Sequence, residues 1–139
     1  MIEYKIENDL SVEEFIDVLK ESSLGERRPV NDLDRIEKML ANANLIIVAR
    51  ENGKAVGVAR SLTDFTYCTY LSDLAVSKDY QKKGIGVELL RQTKIASGEA
   101  KVILLSAPAA VDYYPKIGMT KHNHCYILSS PDELKFSNK

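Results

Sequence analysis

Two apolar runs, "NLIIVAR" (44–50) and "AVGVARSL" (55–62), flank the tetrapeptide "ENGK", and this hairpin signature constrains the fold more than any other feature of the chain. An Asn-Gly pair accepts the positive φ values of a tight two-residue turn, so the runs are expected to pair as antiparallel strands. "TDFTY" reads as a second turn and "CTYLSDLAV" as a third strand. The middle of the chain is therefore expected to be an antiparallel meander.

The flanking segments change period. "MIEYKIE" alternates Ile2, Tyr4 and Ile6 with charge, the pattern of a strand with one buried face. Ser11 opens a helix, and Glu14 three residues on completes a capping-box pattern. Val12, Phe15, Ile16 and Leu19 then share a helical face. Gly25 and Pro29 break the pattern, and Asn31 can cap a second helix with Leu33, Ile36 and Leu40 on one side. Residues 84–97 read as a helix. "KVILLSA" (101–107) is continuously apolar, like a buried strand. A short helix is expected from Pro108, stopped by Gly118, and "MTKHNHCYIL" (119–128) reads as a last strand. The order β-α-α-β-β-β-α-β-α-β predicts an α/β (α+β) architecture: a mixed, mostly antiparallel sheet with helices on both faces.

With 139 residues and no Pro/Gly-rich linker, the chain is expected to form one domain over 1–139. A net charge of -1 gives no electrostatic footprint for nucleic acid or an acidic membrane. No apolar run approaches the roughly 18–20 residues that span a bilayer, and "MIEYKIENDL" lacks a signal-peptide core, so a cytoplasmic location is expected. There Cys68 and Cys125 are not expected to form a disulfide. His122, His124 and Cys125 invite a metal reading, but on a strand the histidines face one side and the cysteine the other; no metal is expected.

"QKKGIGVELL" (81–90) places two glycines and two lysines at the mouth of a helix. Free N–H groups and the positive dipole end favour an anion there, and glycine lets the backbone approach it. The Walker spacing is absent, and Leu89 stands where a dinucleotide loop has its third glycine. An ordinary helix start remains the alternative reading of the glycines alone.

In its wider context the loop resembles a family motif. "LSDLAVSKDYQKKGIGVELL" looks like motif A of the GCN5-related N-acetyltransferases, a strand ending in -L-A-V followed by [Q/R]-x-x-G-x-[G/A] and a helix. "APAAVDYYPKIGM" is similar to the family's second signature, A-x-x-F-Y-x-K-x-G-F, at the right spacing. The resemblance implies the acyl-CoA N-acyltransferase fold and acetyl-CoA as co-substrate. Its pyrophosphate would lie on residues Gln81, Lys82, Lys83, Gly84, Ile85, Gly86 and Val87. Its pantetheine arm would lie along Leu74, Ala75 and Val76, where the strand carries a bulge and splays from the next strand. An N–H near Leu74 would polarise the acetyl carbonyl.

The resemblance also implies roles in the chemistry. Tyr114 matches the signature tyrosine and would protonate the departing CoA thiolate as a general acid, since a phenol has a pKa of about 10; a tyrosine merely packed beside the cofactor is the alternative. The general base is open between Asp73, His122, His124 and a water chain, and Tyr70 occupies the position nearest the family's carboxylate. Ala107 replaces a frequent asparagine, Met119 a phenylalanine, and Pro115 directly follows Tyr114. The acceptor would be met by Arg27 and Arg28, whose guanidinium forks suit a carboxylate or phosphate, and by Tyr67 and Tyr70. A small-molecule amine is the expected partner and a homodimer is possible by family resemblance. A non-catalytic acyl-CoA sensor is the alternative function.

Overall fold

In the computed structural model of the chain, which describes residues 1–136, Asn52 and Gly53 both take positive φ, 50° and 83°. They close the hairpin between β2 (Leu45–Glu51) and β3 (Lys54–Thr63), as the sequence predicts. The second turn is held by Asp64, whose carboxylate accepts from the N–H groups of Tyr67, Thr66 and Cys68 and is kept below its usual pKa by them. β4 (Cys68–Val76) follows and completes the meander.

Backbone contacts divide the chain into two compact units, Met1–Leu105 and Ser106–Lys139. The first holds a five-stranded sheet in the order β1-β2-β3-β4-β5, with β1 (Ile2–Ile6) and β5 (Lys101–Ile103) at its edges. All neighbours are antiparallel except β4 and β5, which are parallel. Alternation along β2 explains why "LIIVA" is apolar throughout. Ile46 and Val48 face one layer, while Leu45, Ile47 and Ala49 face the other.

On one face lie α1 (Val12–Glu21) and α2 (Leu33–Asn42). Phe15, Val18, Leu19 and Ile36 are fully buried there with Ile46, Val48 and Val58. Each such side chain contributes about 1.5–3 kcal/mol by leaving water. Ser11 caps α1 as expected: its hydroxyl accepts from Glu14 N–H at 3.1 Å. The cap of α2 is Asp32, which accepts from Arg35 N–H, and not the expected Asn31; Leu33, in the first turn, is exposed. On the opposite face α3 (Ile85–Ala96) buries Ile85 and Leu89 against Ala59 and Leu71. Gly57 permits this close approach. A Cβ there would lie 3.0 Å from Leu89 Cδ1 and 3.3 Å from Ile85 Cγ2.

Two expectations are corrected. "KVILLSA" is not a buried strand: only Lys101–Ile103 pair, at the sheet edge, and Ile103 and Leu105 are exposed. The segment 119–128 forms no strand. Among the described residues it has no partner strand to complete a ladder, and it turns at 123–124, where His124 N–H donates to His122 Nδ1. In the second unit the helix expected from Pro108 is split into a 3-10 turn, Pro108–Ala110, and α4 (Tyr113–Lys116). No helix among the described residues is long and apolar enough to cross a membrane.

Candidate active site

β4 is two strands' neighbour at its start and one strand's neighbour at its end. β5 pairs with it only from Cys68 to Tyr70. Beyond that point the edge of β4 facing β5 has no strand beside it. The register with β3 shifts at the same place: Arg60 opposes Asp73, Ser61 opposes Leu71, and Ser72 is the extra residue of a bulge. Past the bulge, Ser77 N–H donates to Val56 O in β3 at 2.9 Å. By the two-residue period Ala75 and Asp73 also turn their backbone to β3, and Leu74 and Val76 direct theirs to the open edge.

A loop starts where that edge ends. Gln81 Nε2 donates to Val76 O at 2.9 Å, and Lys82 and Gly84 take φ of 64° and 82°. Gly84 is the N-cap of α3 and offers no side-chain acceptor. The first bond at the helix start is Glu88 N–H to Gly84 O, at 3.1 Å. Among the described residues, the N–H groups of residues 82–87 therefore have no hydrogen-bond acceptor. Six backbone donors, a dipole end and two lysines lie on one exposed loop, and such groups favour an anion. Buried Ile85 anchors the loop to the core, and Lys83 Nζ stands 5.4 Å over the Tyr80 ring.

The bulge is braced by charge that sequence reasoning did not assemble. Asp73 is wholly buried and accepts from Arg28 Nε and Arg60 Nε. Both arginines also grip Ser72: Arg28 donates to its carbonyl at 2.8 Å, Arg60 to its hydroxyl at 3.0 Å. Arg60 further bonds Met39 O in α2. Removing Asp73 would leave two partly buried cations unpaired, a loss of about 3–5 kcal/mol. The signal was present as opposite charges inside two apolar runs that neighbour each other in the meander.

Arg28 is committed to this brace, through Asp73, Ser72 O and Arg27 O. Arg27 is exposed, with no side-chain bond among the described residues. Tyr70 and Tyr67 are exposed on and beside the start of β4. Asp73, a candidate base, is enclosed by its two arginines.

In the second unit, Tyr114 is the second residue of α4. Pro115 is tolerated there because first-turn N–H groups lack helical partners in any case. Tyr114 O accepts from Ile117 N–H and Met119 N–H, and Gly118 takes φ 104° to allow it. The phenol is half-buried; loss of solvent, and secondarily Tyr113, pushes its pKa above the ordinary value. His122 and His124 are exposed, their rings 5.4 Å apart. Among the described residues no group of three or more His, Cys, Asp or Glu side chains converges for a metal.

Comparison with known proteins gives the same picture. The family described as "Acetyltransferase (GNAT) domain" matches residues 8–126. An uncharacterized N-acetyltransferase, ycf52, of Pyropia yezoensis is 28% identical over 100 residues, covering 64% of this chain and 55% of the relative. The match thus spans about half the length of that protein. A GNAT family acetyltransferase of Streptococcus pneumoniae TIGR4 superposes with a TM-score of 0.73 at 21% identity, covering 94% of this chain and all of that one. The aminoglycoside N-acetyltransferase AAC(6')-Iy, solved with CoA, superposes with a TM-score of 0.70 at 15% identity, covering 94% of this chain and 95% of that one. The family model spans most of the sequence, and the chain belongs to the GNAT acetyltransferase family.

Proposed function

We propose that the chain transfers the acetyl group of acetyl-CoA to a primary amine. The observation that carries this reading is the row of unpaired N–H groups at residues 82–87, opening directly from the strandless edge of β4. In the reading, Gln81 fixes the loop, and the backbone of Lys82, Lys83, Gly84, Ile85, Gly86 and Val87 binds the pyrophosphate. On the stretch Leu74, Ala75 and Val76, the backbone of Leu74 and Val76 meets the pantetheine arm at the open edge as a partner strand would. The family membership and the CoA held by a relative of the same fold support the choice of ligand.

The resemblance of both signatures to those of the family supplies the chemistry. A neutral amine attacks the thioester carbonyl, forming the C–N bond. The developing oxyanion is met by the Leu74 N–H. Collapse breaks the C–S bond, and Tyr114 gives its proton to the thiolate while the nitrogen loses one to water. A phenol held above its ordinary pKa is fully protonated at neutral pH, as a donor must be. Arg27, Arg28 and Tyr70 are assigned to the acceptor side. A small amine is favoured because a relative of the same fold is an aminoglycoside acetyltransferase.

Calorimetric titration with acetyl-CoA, followed by a free-thiol assay with a panel of amines, tests the reading. Stoichiometric binding and amine-dependent thiol release are expected. Binding without release for any amine would favour the sensor alternative, and no binding at millimolar ligand would remove both.

A further inference from the structure

The Arg28–Asp73–Arg60 brace is unbalanced. Two guanidinium groups face one carboxylate, and among the described residues neither arginine has another acidic partner within 4 Å. The cluster therefore carries one surplus positive charge. Its location is not symmetric. Arg60 is only 7% exposed, whereas Arg28 is 22% exposed, so the surplus is available to solvent through Arg28.

Arg28 is also aimed. Its Nε is fixed by Asp73, one terminal nitrogen by Ser72 O and the other by Arg27 O. Three of the five N–H groups are used, which leaves one on each terminal nitrogen without an acceptor among the described residues. A planar guanidinium with two spare donors, already immobilised, binds an anion with little further loss of rotamer freedom. Ser72 O lies at the bulge, two residues before Leu74. The spare donors thus sit beside the stretch of β4 where the proposed reaction takes place.

We infer that Arg28 is the receptor for an anionic group on the acceptor, so that the substrate class is a primary amine bearing a carboxylate or phosphate. Asp73 is then a positioning residue: it orients Arg28 and touches no substrate. The inference rests on the acetyltransferase reading above.

The test uses matched acceptors with the full chain: amino acids against their C-terminal amides, and phosphoethanolamine against ethanolamine. The wild type should acetylate the anionic member of at least one pair with the lower KM, and which pair responds distinguishes carboxylate from phosphate. Arg28→Gln should raise KM for the anionic acceptor about tenfold or more, the equivalent of one hydrogen bond to a charged group. Because Arg28 also braces the bulge, KM for the neutral partner can rise too, but by at least tenfold less than KM for the anionic one, and a thermal melt checks folding. Arg28→Lys should recover part of the loss. Equal use of both members by the wild type overturns the inference, as does an equal loss on both in Arg28→Gln. Acetyl-CoA binding with no acetylation of any anionic amine also overturns it. Failure of the wild type to bind acetyl-CoA would instead remove the acetyltransferase reading, and this inference with it.

Discussion

Gln81 Nε2 donates to the carbonyl of Val76, tying the start of the glycine loop to the last residue of β4. The bond fixes where the six free N–H groups lie relative to the open strand edge. Gln81→Ala removes one exposed hydrogen bond, which contributes about 0.5–1.5 kcal/mol. The expected result is acetyl-CoA affinity weakened by about twofold to tenfold in calorimetry, with the melting temperature nearly unchanged. An unchanged affinity would mean the loop holds its shape without this tie.

Gly57 and Gly84 should fail differently when changed to alanine. At Gly57 the added methyl meets Leu89, Ile85 and the carbonyl of Ala75, so α3 must move off the sheet. Overpacking of this kind costs about 1–3 kcal/mol and should appear as a lower melting temperature. At Gly84 nothing lies within 4 Å, but φ is 82°. The strain of about 1–2 kcal/mol is relieved by rotating the loop backbone, which disperses its N–H groups. Gly84→Ala should therefore lose acetyl-CoA affinity out of proportion to stability, measured by titration and thermal melts side by side.

Tyr114→Phe should lower kcat by about 10²–10⁴-fold, the usual range for a general acid, while leaving acetyl-CoA affinity within about twofold. The pH dependence has a definite sign. A donor is active in its protonated form, and burial raises the pKa of this phenol. The wild-type rate should therefore show no loss from this group at neutral pH and should fall only above about pH 10. A Tyr114→Phe rate equal to wild type would assign the ring to packing.

Arg50 links β2 to the carboxylates of Glu7 and Glu14, at 2.8 and 2.6 Å. Glu14 is held below its usual pKa chiefly by the Arg50 hydrogen bond. A carboxylate with a depressed folded pKa stabilises fully above its unfolded value, about 4.3, and loses that contribution as pH falls through the folded value. Glu14 is partly exposed, so solvent screening holds the effect to about 1 kcal/mol or less. Glu14→Gln should lower the melting temperature at pH 7, and the gap should narrow as the pH falls below the unfolded value. A gap that persists in acid would assign the loss to the α1 cap instead.

The readable parts of the fold were those specified by neighbours in sequence. Asn52-Gly53 requires nothing distant to make its turn, and the Ser11–Glu14 cap spans three residues. Gly84 at the N-cap of α3 and Gly86 in its first turn announce a helix mouth for the same reason. Asn31 and Asp32 are both good caps by residue type, and the structure uses Asp32, whose side chain accepts from Arg35 N–H. "MTKHNHCYIL" has the alternation of a strand, but alternation does not supply a partner, and the sheet already ends at β5.

The candidate site divides in the same way. The loop of unpaired N–H groups was legible because it depends on backbone alone: glycine, a helix start and the order of residues 81–87 are sufficient to expose them. Tyr114 is a candidate through the second family signature alone. The brace at Asp73 was not legible, because Arg28, Arg60 and Asp73 are distant in sequence and meet only when β3 and β4 align and the turn after α1 folds onto them. By itself the sequence determined the local turns, caps and donors, whose energies depend on a few adjacent dihedral angles. The tertiary structure decided which strand edge stays open, where the bulge falls and which arginine keeps spare donors. Those follow from register and burial, which no short segment contains.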